Sequence, residues 1–305
     1  MIELEKSQYP RILPLTQDVS HNRALIYSIL EGNHPGQVLC GNIGTPGFAL
    51  LLTKVGYCFV IGCPDGNDCQ MIADYLFEQV LSNGQEKEMI LFSFSEHVRS
   101  MLDKAFSGRD VKRLVRHQFR FSMLAFEASV AALKLSDETP TGQPIRDMTT
   151  QDAEILGIPS FLCDFPKNGF GSCIRSGPGP DAVIASHCYP VFLGGGDAEV
   201  DVATAEAYRG QGLATRTAIA FIRQCMLRGF TPNWACWPYR KESRILAVRP
   251  ANGGYSGPLL VKVISSGSPT TFNHHRRLKV SHSAFPGFAR SQPLAQSAFP
   301  AVSPH

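Results

Sequence analysis

Apolar and polar positions alternate most sharply between residues 198 and 204. Ala198, Val200, Val202 and Thr204 fall on one side, and Glu199, Asp201 and Ala203 on the other, the period-two signature of a strand. After Arg209-Gly-Gln-Gly212 the period changes. Ala214, Thr217, Ala218, Phe221, Cys225 and Met226 recur at helical spacing, and Gly229 is a natural stop. Two further strands are expected upstream, over 181–185 and 189–193, joined to the first by a hairpin turn at Gly194-Gly-Gly-Asp197. Another strand is expected over 231–236, and a helix from 242 to 248.

The first 133 residues read as a smaller mixed α/β unit. The pattern predicts a short helix over 22–32, strands over 47–52 and 56–61, and a helix over 70–81 with Met71, Ile72, Tyr75, Leu76 and Val80 on one side. A strand over 89–93 follows, then a helix opened by Ser95 as cap and ending near Phe106. The last strand is expected over 117–123, where Phe119, Phe121 and Met123 alternate with Gln118, Arg120 and Ser122. Residues 134–144 are polar and turn-rich, as a linker should be. The second unit, 145–249, opens with a strand that leads into a capped helix over 145–156.

From Pro250 the composition changes. Residues 250–305 hold nine Ser, seven Pro and five Lys or Arg, and no Asp or Glu. The apolar run 259–264 could form a strand, but little after it is periodic, so most of the segment is expected to be irregular. The change is abrupt enough to suggest a replaced terminus, as a frameshift would leave. It also corrects the charge balance. The whole chain carries +3, but without this segment 24 basic side chains face 26 acidic ones, so a nucleic-acid surface is not indicated. Nine cysteines without a C-x-x-C pair argue against a disulfide framework or a zinc site. No apolar run is long enough to span a bilayer and the N-terminus lacks a signal-peptide pattern, so a reduced, cytoplasmic protein is expected.

The strand–loop–helix at 198–215 is the candidate for chemistry. A helix N-terminus offers unpaired N–H groups and the positive end of its dipole. Two glycines let backbone approach an anion, and Arg209 adds charge. Tyr208-Arg-Gly-Gln-Gly-Leu-Ala214 resembles the Arg/Gln-x-x-Gly-x-Gly/Ala motif of GNAT-type N-acetyltransferases, which hold the pyrophosphate of acetyl-CoA. Glu-Val-Asp-Val-Ala-Thr before the loop and Pro232-Asn-Trp234 after the helix resemble a bacterial branch that includes zwittermicin A resistance acetyltransferases.

The resemblance covers about residues 180–248. It implies a GNAT-like mixed sheet flanked by helices, preceded by the smaller α/β domain, and acetyl transfer from acetyl-CoA to an amine, here taken to be a small molecule. Arg209, Gly210, Gln211, Gly212, Leu213 and Ala214 would face the phosphates. Val202 and Ala203 would lie along the pantetheine arm, and Asn233 could bond its amides or the acceptor. Glu199 and Asp201 share a strand face near the thioester and are the base candidates, with a solvated face as the plainer role. Trp234 could wall the acyl pocket or sit in the core, and Ser243 could lie near the cofactor or cap its helix. The tyrosine that many family members use as general acid would align with Ala247, so it is missing here. No metal ligands are expected, and the sequence does not speak to the oligomeric state.

Overall fold

The computed structural model describes residues 1–17, 19–83, 88–133, 139–162, 164–177, 182–248 and 254–265, with side chains in the last segment from Val261. Among these residues twelve strands form one sheet. They are β1 (Ile2–Glu3), β2 (Gly36–Cys40), β3 (Phe48–Thr53), β4 (Tyr57–Gly62), β5 (Glu88–Ser93), β6 (Val111–Arg120), β7 (Arg146–Asp147), β8 (Ser172–Arg175), β9 (Ile184–Gly194), β10 (Asp197–Thr204), β11 (Thr231–Cys236) and β12 (Gly254–Ser265). Their order across the sheet is β1-β2-β3-β4-β5-β12-β6-β11-β10-β9-β8-β7. The two units expected from the sequence therefore share a sheet, and they meet where β11 pairs antiparallel with β6.

Among the described residues seven α-helices accompany it: α1 (Arg23–Leu30), α2 (Gly66–Tyr75), α3 (Glu96–Ala105), α4 (Met123–Leu133), α5 (Thr150–Ile155), α6 (Leu213–Leu227) and α7 (Lys241–Val248). Local signals set several of their ends. Asp65, Ser95 and Thr149 accept hydrogen bonds from the backbone N–H three residues on and so cap α2, α3 and α5. A single π-helical segment, Leu76–Leu81, continues α2 through the predicted 70–81 region.

Alternation along the strands sorts the core. Leu51, Phe59, Phe92 and Val263 pack with Leu25, Ile26 and Ile29 of α1 on one side of the sheet. Leu50, Leu52, Val60 and Leu91 pack with Ile72 of α2 and Leu102 of α3 on the other. In the second unit Ala198, Val202 and Trp234 pack against Ala218, Phe221, Ile222 and Cys225 of α6, so the predicted apolar stripe is the buried one.

Helix α1 lies very close to β9. A Cβ on Gly194 would stand 2.2 Å from Ser28 N and 2.5 Å from Tyr27 C, so only glycine permits this approach. Arg23 Nε to Asp197 Oδ2 at 3.2 Å and Asn33 Nδ2 to the Leu193 carbonyl at 3.2 Å tie the same helix to β10 and β9.

Three expectations change. The run 259–264, a possible strand in a segment otherwise expected to be irregular, is part of a longer strand, β12, which starts at Gly254, lies between β5 and β6 and pairs antiparallel with both. Val261, Val263 and Ile264 are buried there, so this apolar run offsets its ordering cost by filling the middle of the sheet. The rest of the expected tail lies outside the described residues. The strand predicted over 117–123 is β6, ending at Arg120. Ser122 accepts from Ala125 N–H and turns the chain into α4, so Phe121 and Met123 are not strand residues. The two strands predicted over 181–185 and 189–193 are a single strand, β9, which begins only at Ile184; Ala182 and Val183 precede it, and Asp181 lies outside the described residues. The intervening polar Ser186 is accommodated because its hydroxyl bonds the Ala203 carbonyl, Thr204 and Thr217.

Candidate active site

The sheet opens at one place. β10 and β11 run parallel and are paired only at Asp197–Thr231, Ala198–Pro232 and Glu199–Asn233. Beyond that point β10 remains paired with β9, while Trp234, Ala235 and Cys236 pair with β6. The two central strands therefore part after Glu199 and Asn233. Their backbones face a gap in which an extended chain could add hydrogen bonds. A register shift between Glu199 and Val200 coincides with the start of the gap. It places two residues of β9, Val191 and Phe192, beside one step of β10 and leaves the alternation of β10 intact.

A cavity of about 110 Å³ fills the fork. Glu199 and Asp201 line one wall, Trp234 and Trp237 another, and Tyr57 and Arg116 reach it from the first unit. Glu199 is 3% exposed. Burial pushes its carboxyl up to about 7, with Arg116 opposing the rise and Asp197 and Asp201 adding to it. Burial likewise raises Asp201 to about 6, against a hydrogen bond with Tyr189 and another with its own strand backbone.

Arg116 Nη2 stands 3.3 Å from Glu199 Oε1, while Glu199 Oε2 has no hydrogen-bond partner. A carboxyl poised near neutrality with one free oxygen in a cavity can take a proton from a bound ammonium. Trp234 lies in the core and also borders the cavity. Its Nε1–H donates to Ser243 Oγ at 3.1 Å. That bond gives Ser243 a positioning task inside α7. Ala247, where the family's acid would align, is fully buried in the same core.

The glycine loop follows β10 directly. Gly210 and Gly212 have φ of +76° and +74°, and a Cβ on either would meet no atom within 4 Å. The left-handed backbone thus faces open space, with room for a tetrahedral anion. Gly212 is the N-cap of the 15-residue α6 and supplies no side-chain cap. The first helical bond is Arg216 N–H to the Gly212 carbonyl, which leaves the N–H groups of Leu213, Ala214 and Thr215 without intrahelical acceptors.

The helix is fixed over the strands by hydroxyls. Ser172 Oγ donates to the Thr217 carbonyl at 2.6 Å, and Thr217 and Ser186 hydroxyls are 3.1 Å apart. Arg209 is exposed, and its Nε donates to the Thr204 carbonyl at 3.3 Å, which leaves the rest of the guanidinium available at the loop. This open, uncapped N-terminus fits the pyrophosphate of acetyl-CoA, and the fork beside it fits an extended amide chain.

The structure brings Val202, Ala203, Arg209, Gly210, Gln211, Gly212, Leu213 and Ala214 together along β10 and its loop. It sets Asn233 opposite Glu199 at the last paired step and puts Glu199 and Asp201 in the cavity. Sequence reasoning missed Tyr57, Arg116 and Trp237. Arg116 lies just outside the strand expected over 117–123, and the side chains that surround it, Tyr57, Trp237 and Glu199, come from elsewhere in the chain. No helix among the described residues is long and apolar enough to cross a membrane.

Comparison with known proteins agrees with this geometry. An uncharacterized N-acetyltransferase of Bacillus subtilis (strain 168), YdfB, is 30% identical over 253 residues, covering 81% of this chain and 92% of that protein. Solved structures share the fold. A GCN5-related N-acetyltransferase-like protein from Streptococcus suis superposes with a TM-score of 0.58 at 19% identity, over 84% of this chain and 98% of that one. A tandem GNAT protein from the clavulanic acid biosynthesis pathway gives 0.55 at 9% identity, over 88% and 98%. The sequence model of the GNAT acetyltransferase family matches residues 14–249, and with that match spanning both halves of the sheet, this chain belongs to the GNAT acetyltransferases.

Proposed function

We propose that the protein moves acetyl from acetyl-CoA directly to the amine of a small molecule. The observation that carries this reading is the free oxygen of buried Glu199 in a cavity at the fork between β10 and β11, directly upstream of the glycine loop. The size of the cavity, about 110 Å³, favours a small acceptor over a peptide segment. The likeness to zwittermicin A resistance enzymes, carried by Glu199 to Thr204 and Pro232 to Trp234, favours an antibiotic or metabolite over a protein.

Acetyl-CoA, when bound, supplies the activated acetyl group. In our reading the N–H groups of residues 210–214, with Arg209, hold its phosphates. The backbone of Val202 and Ala203 pairs with its amide chain, and Asn233 bonds the same arm or the acceptor. Glu199 accepts the proton that the ammonium must lose, and Asp201, its neighbour on the strand face, assists directly or through water. The walls fix the amine beside the thioester, and orientation of this kind supplies much of the rate. Residues 145–249 then form the acetyl-CoA-binding unit. Residues 1–133 shape the acceptor site through Leu25, Tyr57 and Arg116. With Ala247 at the acid position, the thiolate leaves without a dedicated tyrosine.

Calorimetric titration of acetyl-CoA into the full chain, followed by a screen of amines for CoA release, tests this. Saturable binding with amine-dependent release is expected. Binding with no release across the screen would leave a CoA-binding protein and refute transfer.

A further inference from the structure

The cavity holds more charge than proton removal needs. Arg116 is 8% exposed as a residue, and two of its guanidinium nitrogens, Nε and Nη1, are buried with no hydrogen-bond partner. Nη2 donates to Glu199 Oε1 at 3.3 Å, and the Tyr57 side chain is a further polar neighbour of the guanidinium. The guanidinium carbon lies 5.6 Å from the Tyr57 ring centre and 5.7 Å from that of Trp237, so two aromatic rings neighbour it. Five fixed donors on a desolvated cation are costly to leave unmatched. Beside it, Glu199 Oε2 is also unmatched. A cation and a carboxyl with unused hydrogen-bonding capacity are thus side by side, on residues that both line the cavity.

A water molecule could satisfy one such atom. A single ligand that satisfies both residues must present an anionic or strongly accepting group to the guanidinium, where Nη1 is unpartnered, and an ammonium to Oε2. A planar carboxylate matches the guanidinium edge in two parallel bonds. Arg240 also lines the cavity, so its walls carry two carboxyls, Glu199 and Asp201, and two guanidinium groups. That balance suits a zwitterion better than a simple cation.

Resting on the acetyl-transfer reading above, we infer that the acceptor is a small amine that also bears a carboxylate, in the manner of an amino acid, with Arg116 of the first unit as the carboxylate anchor. The acceptor's ammonium then faces Glu199, and Arg116 sets specificity.

The test uses matched acceptors with the full chain: free L-amino acids, their carboxamides, and the corresponding decarboxylated amines, scored by acetyl-CoA-dependent product formation. The free acids should exceed their amides in kcat/KM by about 100-fold, as expected when a buried charge loses its partner. Arg116→Gln should collapse that ratio toward one, whatever it does to absolute rates, and Arg116→Lys should keep an intermediate ratio. A ratio is measured only on folded molecules, so partial misfolding of a variant does not blur it.

Amides or plain amines turned over as well as the acids would overturn the inference and leave acetyl transfer standing. Equal loss on acids and amides in Arg116→Gln would also overturn it, since Arg116 would then act only through Glu199. No turnover of any member by a chain that binds acetyl-CoA would remove both readings.

Discussion

Glu199→Gln should separate the stability of the folded chain from the chemistry of the cavity. Glutamine keeps the shape of the side chain and cannot ionise. The wild-type carboxyl rises on folding from an ordinary 4.5 to about 7, chiefly through burial. A carboxyl raised in this way binds its proton more tightly in the folded state. The stability it contributes is full below pH 4.5 and is withdrawn as the pH climbs through about 7. A shift of that size corresponds to about 3 kcal/mol.

At low pH the neutral carboxyl and the amide leave Arg116 equally without a counter-charge, so the two proteins should be similar in stability. Between pH 4.5 and 8 the variant should gain on the wild type by up to about 3 kcal/mol. Urea denaturation of both proteins at unit steps of pH measures this. The titration of Asp201 occurs in both and cancels to first order.

The same substitution should lower kcat by about 10²–10⁴-fold, the usual contribution of a positioned base, and should abolish the inflection near pH 7 in kcat/KM. In the wild type that profile should climb tenfold per unit below the inflection and level off above it. A stability difference independent of pH between 4.5 and 7 would refute the raised pKa. An inflection that survives in the variant would refute Glu199 as the base.

Gly210→Glu should weaken acetyl-CoA binding at least tenfold by calorimetry. It forces a side chain onto φ of +76° and sets a carboxylate in the space open to phosphate. Asp152→Asn should cost about 2 kcal/mol at neutral pH. Although burial opposes it, bonds from Thr149, Arg146 and Arg175 hold that carboxyl down to about 2. Its stabilisation is present above pH 4 and lost as pH falls through 2, so acid titration of stability should lose that step in the variant. Val261→Asp should unfold the protein in a thermal melt, because Val261 is 2% exposed on a strand between β5 and β6 and an unpaired carboxylate there has no outlet.

What the sequence made legible is what the chain builds locally. The change of period at 209–213, the two glycines and the alternation of 198–204 each follow from a few neighbouring residues, and all three sit where they were expected. The base candidates were legible for the same reason, since alternation alone puts Glu199 and Asp201 on one face.

The partners across the sheet were not legible. Arg116 meets Glu199 across 83 positions of sequence, and it lies just outside the strand expected over 117–123. The same dependence on distant partners hid the full extent of β12. Its strand potential is confined to a short apolar run among prolines, glycines and serines, and only the slot between β5 and β6 makes that run worth ordering. One cause thus underlies both omissions. The first unit continues the sheet of the second, and β6, the strand that joins the two halves, carries the guanidinium that meets Glu199. A sequence read as two separate units keeps that pair apart. On the proposed reading, acceptor specificity is set from one half of the sheet and acetyl delivery from the other.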